Sequence, residues 1–180
     1  MNRIFLISFW ALVLVTFQPR LAGAQGTTSP IKWYTLEEAQ RLQAQDPKPI
    51  LIDLYTDWCG YCKRLDVYTF ANKTIAGYVS EHYYPVKFNA EQREAVVFSG
   101  KTFKNTGEKP RSPHDLAIAL TGGKLSYPTL IYLNKESKVV SVVPGYCTPS
   151  QLEPILHYIA EEAYNDKGWE EYLEHFKGSF

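Results

Sequence analysis

Two cysteines, Cys59 and Cys62, stand in the stretch "DLYTDWCGYCKRL", with only Gly60 and Tyr61 between them, Trp58 before and Lys63 after. Three uses fit such a pair: a structural staple, half of a metal site, or a dithiol made and broken as chemistry. A bond between them closes a very small loop and restricts the unfolded chain little. Structural zinc usually takes four ligands, and no second C-x-x-C or H-x₃₋₅-H follows, so no metal or other cofactor is expected. Thiol chemistry is the better supported use. It needs the first cysteine at a helix start, where free N–H groups and the helix dipole stabilise a thiolate, and the second one turn later. From there Cys62 can attack a mixed disulfide formed at Cys59.

The elements that would place the pair so can be read from the pattern. "PILIDLY", 49–55, is a short apolar, β-branched run and reads as a buried strand. After Cys59 the rhythm turns helical, through Leu65 and on to Ile75, Tyr78 and Val79. Asp53 interrupts the strand six residues before Cys59. Either it lies exposed at the strand end, or it is buried, with a raised pKa suited to taking the proton of Cys62.

Around this centre, Thr35 and Glu38 form a capping box for a helix that ends before Asp46-Pro47. "YYPVKFNA", 83–90, reads as a second strand. "TLIYLNK", 129–135, and "KVVSVVPG", 138–145, read as an antiparallel pair. Thr148, Pro149 and Gln151 start the last long helix, whose apolar face runs through Leu152, Ile155, Leu156 and Ile159, with Pro154 costing it one backbone bond. Asn165 to Gly168 breaks it, and "WEEYLEHF" forms a final turn or two. The order is α-β-α-β, a long connection, then β-β-α. Pro128, after Tyr127, opens a strand where it cannot donate to a ladder; such X–Pro bonds are trans on base rates, yet this is a place for a cis one.

The first 24 residues read as a secretory signal: a weakly basic start, an apolar run from Ile4 to Phe17, and Ala22-Gly23-Ala24 with cleavage after Ala24. An uncleaved anchor is the alternative, though 14 residues are short for a span. A flexible lead-in, 25–32, follows. With Arg3 and Arg20 removed, 17 basic residues face 19 acidic ones, which argues against nucleic acid or an anionic membrane as the main partner. An exported location, periplasmic or secreted, permits disulfides.

The segments "ILIDLYTDWCGYCK", "VKFNAE" and "SYPTLIYLNKESKVVSVVPGY" together resemble the thioredoxin family, and in particular the secreted thioredoxin-like proteins of the Bacteroidetes type, with W-C-G-[WY]-C-K and S-Y-P-T. The resemblance implies an α/β thioredoxin fold, a central mixed sheet flanked by helices, over residues 33–164, with an insertion at about 91–120 and a helical extension over 165–180. It implies a thiol–disulfide oxidoreductase whose Cys59–Cys62 disulfide opens and closes. Cys59 would be the nucleophile, Cys62 the resolving thiol, Asp53 the buried proton acceptor and Lys87 its charged neighbour. Trp58, Gly60 and Tyr61 would line the substrate side with Tyr127, a cis Pro128, Thr129 and Gly145. The partners implied are protein thiols and disulfides, with a membrane-bound redox partner, and the chain is expected to act as a monomer. Reduction is slightly favoured over isomerase or oxidase action; a non-catalytic binding module is the reading from another class.

Three features depart from a minimal member. Gly-Tyr stands where reducing members carry Gly-Pro, a dipeptide shared with bacterial disulfide isomerases. The connection 91–126 is long, reads as a hairpin at Val96–Phe98 and Lys101–Lys104 followed by a helix from about Ser112 to Leu120, and is either functional or a decoration; its Lys101, Lys104, Lys109 and Arg111 make it locally basic. Cys147 reads as a packed small residue, with an extra redox thiol as the alternative. His114 and Asp115 read as helix-start residues.

Overall fold

The computed structural model describes residues 30–180. The leader over residues 1–24 and most of the lead-in lie outside the described residues. A four-stranded sheet in the order β2-β1-β5-β6 forms the centre. Its strands are β1 (Ile50–Tyr55), β2 (Tyr84–Asn89), β5 (Thr129–Leu133) and β6 (Val139–Pro144). β1 runs parallel to β2 and antiparallel to β5, and β5 antiparallel to β6. This mixed sheet carries helices on both faces, as expected.

Alternation along the strands divides the core. Ile50, Ile52 and Leu54 of β1, with Val86, Phe88, Ile131 and Leu133, face one side. There they meet Leu36 and Ala39 of α1 (Leu36–Gln43) and Leu116, Ala117 and Leu120 of α4 (Asp115–Thr121). Leu51, Leu130 and Tyr132 face the other side. They pack on Leu65 and Phe70, on Ile75 and Val79 of α3 (Lys73–His82), and on Leu152, Leu156 and Ile159 of α5 (Pro149–Ala160). Each such Leu or Ile contributes roughly 1.5–3 kcal/mol of burial. Ile31 joins this second cluster, 3% exposed. The packed core thus includes an apolar side chain two residues before Trp33.

The helical rhythm after Cys59 is three pieces. α2 (Gly60–Arg64) passes into a π-helical turn, Leu65–Phe70, and the chain breaks before α3. Asn72 accounts for the break: its side chain caps α3 by accepting from the N–H groups of Thr74 and Ile75. In α5, Thr148 and Gln151 form the capping box and Pro149 takes the first turn; the helix runs through Pro154 to Ala160. Glu153 on its buried side accepts the backbone N–H of Ser179 at 2.9 Å, which fastens the tail. Between these, α6 (Trp169–His175) rests on Tyr158 of α5 through Trp169 and Tyr172.

The long connection is built onto the fold. β3 (Val96–Phe98) and β4 (Lys101–Phe103) form a hairpin. Its Ser99-Gly100 turn holds both residues at positive φ. Gln40 and Glu37 of α1 bond its backbone at Val97 and Ser99, and Val96 is buried. The Asn105 side chain donates to the carbonyls of Glu91, Gln92 and Ser112. α4 starts at Asp115, three residues later than Ser112, because buried His114 is its cap, accepting from the N–H of Leu116.

Candidate active site

Cys59 sits where β1 gives way to α2, as the helix's cap residue in an extended conformation. Its Sγ accepts the N–H of Cys62 at 3.0 Å. Such a donor also holds negative charge on the sulfur once the bond is opened. Cys59 and Cys62 are joined as a disulfide with Cα atoms 5.3 Å apart. Both are buried, at 4% and 2% exposure, so the bond forms the floor of the site.

Asp53 shares the face of β1 that Leu51 presents to the Leu65–Phe70 side, the side covered by the cysteine-bearing helix. It is fully buried, and burial pushes its carboxyl up to about 6, against the opposing pull of Lys87. Lys87 is its register partner on β2, and the Lys87 Nζ donates to Asp53 Oδ2 at 2.7 Å. Among the described residues Asp53 Oδ1 has no hydrogen-bond partner. Lys87 also donates to Asp66 Oδ1, one turn after Cys62. Its Nζ lies 5.1 Å from the Trp33 ring, 5.2 Å from Tyr55 and 5.8 Å from Phe70. Burial draws the Lys87 pKa down, but the charge and hydrogen bond of Asp53, with Asp66, outweigh it and the net shift is upward. The result is a buried carboxylate held close to neutrality, bridged by a cation to a second carboxylate that reaches solvent.

Above the floor lies a face made by separate segments. The Tyr127–Pro128 peptide bond is cis. The Thr129 hydroxyl donates to the Ser126 carbonyl at 2.8 Å. The Gly145 N–H donates to the Pro128 carbonyl at 2.8 Å, with Gly145 at φ +94°, a conformation open to glycine and few others. Trp58 is half exposed, its ring edge-on to Tyr127 at 6.0 Å and its Nε1 donating to Glu91 at 2.9 Å. Gly60 and Tyr61 are exposed, and Tyr61 leans on Tyr146 at 6.4 Å. Gly145, Tyr146 and Cys147 are tied to the helix below, since the Thr69 hydroxyl donates to the Cys147 carbonyl at 2.7 Å. Cys147 is a buried free thiol whose pKa burial pushes up, consistent with packing.

The residues singled out in the sequence thus fall into two groups. Cys59, Cys62, Asp53 and Lys87 belong to the strand–helix floor. Trp58, Tyr127, Pro128 and Gly145 belong to the loops around it, Gly60 and Tyr61 to the exposed first turn of α2, while Thr129 is buried behind Pro128. Asp66, Glu91, Tyr146, Arg64 and Arg111 escaped sequence reasoning. Asp66 carried a signal, because a carboxylate four residues after Cys62 shares its helix face. Arg64 was legible too, three residues after Tyr61 on one helix, whereas Glu91, Tyr146 and Arg111 meet the site only through tertiary packing. Among the described residues, no group of three His, Cys, Asp or Glu side chains is placed to hold a metal ion.

A family model described as a thioredoxin-like domain matches residues 36–160. The chain belongs to the thioredoxin-like family. The thiol:disulfide interchange protein DsbD of Vibrio vulnificus strain CMCP6 is 37% identical over 126 residues, 67% of this chain and 18% of that protein. The chain spans 11–18% of the length of the DsbD relatives it matches. Among solved structures, a thioredoxin-fold protein from Helicobacter pylori superposes with a TM-score of 0.55 at 20% identity, covering 72% of this chain and 84% of that one. The DsbH oxidoreductase superposes with a TM-score of 0.54 at 15% identity, covering 84% and 95%. These two likenesses show the thioredoxin fold. The chemistry open to this thioredoxin-like domain is dithiol–disulfide exchange at Cys59 and Cys62.

Proposed function

We propose that the chain is an exported thiol–disulfide oxidoreductase that reduces protein disulfides. The observation that carries this reading is a Cys59–Cys62 disulfide at a helix start, set against the buried Asp53–Lys87 pair on the same side of the sheet. A binding module with a permanent disulfide has no use for a buried carboxylate near neutral pKa.

In the reduced protein, the Cys59 thiolate attacks one sulfur of the substrate disulfide. That bond breaks, the first substrate sulfur leaves and takes a proton, and the second stays bonded to Cys59. Cys62 gives its proton to Asp53 and attacks the Cys59 sulfur, which expels the second substrate thiolate and forms the Cys59–Cys62 bond. The expelled thiolate then takes up a proton and Asp53 gives up the one it accepted, so that two electrons and two protons reach the substrate. Trp58, Gly60, Tyr61, Tyr127, Pro128 and Gly145 form the face against which an extended substrate lies, with backbone pairing beside the sulfurs, and buried Thr129 holds that loop from behind Pro128. The leader over residues 1–24 supports export, to the periplasm or beyond. Steady reduction there needs a supply of electrons, for which a membrane-bound dithiol partner is the source we infer. The chain works as a monomer in this reading.

The test has two parts. Equilibration of the Cys59–Cys62 pair with thiol buffers gives its potential. A value near the thioredoxin end of the scale, about −270 mV, supports reduction, and one near about −120 mV reassigns the chain as an oxidase. Second, Cys62→Ala accumulates Cys59-linked mixed disulfides with exported proteins, and Cys59→Ala does not. A Cys62→Ala protein that captures no partner moves the reading to a binding module.

A further inference from the structure

We propose that Arg64 and Arg111 form a cationic rim selecting protein disulfides whose cysteines are flanked by Asp or Glu. This rests on the exchange reading above and names the substrate class for the same site.

Both arginines are exposed and lie over aromatic rings next to the cysteines. The Arg111 guanidinium lies 5.4 Å from the ring centre of Trp58, the residue before Cys59. That of Arg64 lies 5.6 Å from Tyr61, the residue before Cys62, and 5.6 Å from Tyr146. A cation–π contact places the guanidinium beside the cysteines, and its N–H edges can take a carboxylate in a two-bond fork. Among the described residues neither arginine has a carboxylate partner: the ion pairs belong to Lys48, His82, Lys87, Lys135 and His157. Arg93 is the contrast within the insertion. Its guanidinium donates to Asn105 and to the carbonyls of Gly107 and Lys109, so it holds the loop.

The backbone of Arg111 also has a positive φ of 66°, sparsely populated for a residue with a side chain. The insertion therefore delivers this charge to Trp58 through a constrained turn. Opposing charges are present as well: Glu91, whose carboxylate accepts the Trp58 indole N–H, and exposed Asp57, which precedes Trp58 and accepts from the Asn89 side chain. Lys63, exposed beside Cys62, adds to the positive side. Since the chain without its leader is slightly acidic, attraction for anionic segments concentrates at this rim. The occupant that fits is an extended protein segment with carboxylates next to its disulfide.

Three peptides with the same disulfide, flanked by Glu, Gln or Lys, test this against the full reduced chain. The Glu peptide is reduced about tenfold faster than the Gln peptide at low salt, and the Lys peptide slower still. The gap closes as ionic strength rises from ~0.02 M to ~0.5 M. In the Arg64→Gln/Arg111→Gln double variant the Glu-to-Gln rate ratio falls to about one. A ratio cancels any general loss of activity, so partial unfolding does not mimic the result. Equal rates for the three peptides, or a ratio that survives the double substitution, overturn the proposal. Uncharged hydroxyethyl disulfide is the separate control: if the unaltered chain cannot reduce it, the exchange reading itself fails, and the rim with it.

Discussion

The amine of Lys87 lies between two carboxylates of unlike exposure, 2.7 Å from the fully buried Asp53 and also bonded to the partly exposed Asp66. Lys87 and Asp53 are neighbours in register on the parallel strands β2 and β1. Ionised Asp53 is thus never alone in the core, yet it is cut off from solvent by full burial.

Asp53→Asn should stabilise the fold at neutral pH and slow exchange. The folded-state pKa of Asp53, about 6, stands above the 3.8 of an ordinary Asp. Between those values the folded protein keeps a proton that the unfolded chain has released. Stability from this group is full below about pH 4 and is lost as pH rises through 6. Asn removes that loss without stranding Lys87, which keeps Asp66. Urea midpoints should show a gain on the order of 1–3 kcal/mol at pH 7.5 and almost none at pH 4. An equal gain at both would mean burial of charge is not its cause. Exchange at pH 7 should fall roughly 10- to 100-fold, through a slower second step.

In the reduced protein, Cys59 should alkylate first. Its sulfur faces the free N–H of Cys62 at the helix start, whereas Cys62 sits one turn in. Reaction with iodoacetamide across pH 5 to 9, read by peptide mass, should place the Cys59 thiolate near neutrality and Cys62 later. The reverse order would exchange the two roles.

Asn105→Ala should loosen the insertion alone. One side chain joins the carbonyls of Glu91, Gln92 and Ser112, so its removal costs about 2–3 kcal/mol locally. Hydrogen exchange should quicken over residues 91–112 while the amides of β1 and β5 stay protected. Reduction of a protein disulfide should drop several-fold, with hydroxyethyl disulfide little affected. Equal loss on both would assign the insertion a folding role.

Gly145→Ala should strain the loop that bonds Pro128. At φ +94° a side chain costs about 1–3 kcal/mol, which lowers Tm by about 2–10 °C. An unchanged Tm would mean the loop relaxes and the bond from Gly145 to Pro128 is expendable.

Much of this was legible because the deciding signals are local. Thr35 and Thr148 announce their helices with side-chain caps, and Ser99-Gly100 announces a hairpin. Asp53 in an apolar strand announces a buried charge. What stayed hidden has no local signature. A π-helical turn adds one residue to a helical rhythm, so Leu65–Phe70 reads as ordinary helix, and the rhythm runs on through the break that Asn72 caps. Ile31 looks like part of a loose lead-in until the core that receives it is assembled. Arg111 looks like one charge of a solvated run until the insertion carries it to Trp58.

The bond from Thr69 to Cys147 spans 78 residues, and the bond from Gly145 to Pro128 fixes the next loop to it. The reactive pair and the Tyr127-to-Cys147 side of the face above it are therefore made from opposite halves of the chain. As the polypeptide grows from its N-terminus, Cys59 and Cys62 are present, with β1 and the helix that Cys59 caps, well before Pro128, Gly145 or Cys147 exists. Until those residues arrive the pair has reactivity without a groove to choose its targets. Selectivity comes last in the assembly of this molecule, and it arrives with the same strands that close the sheet.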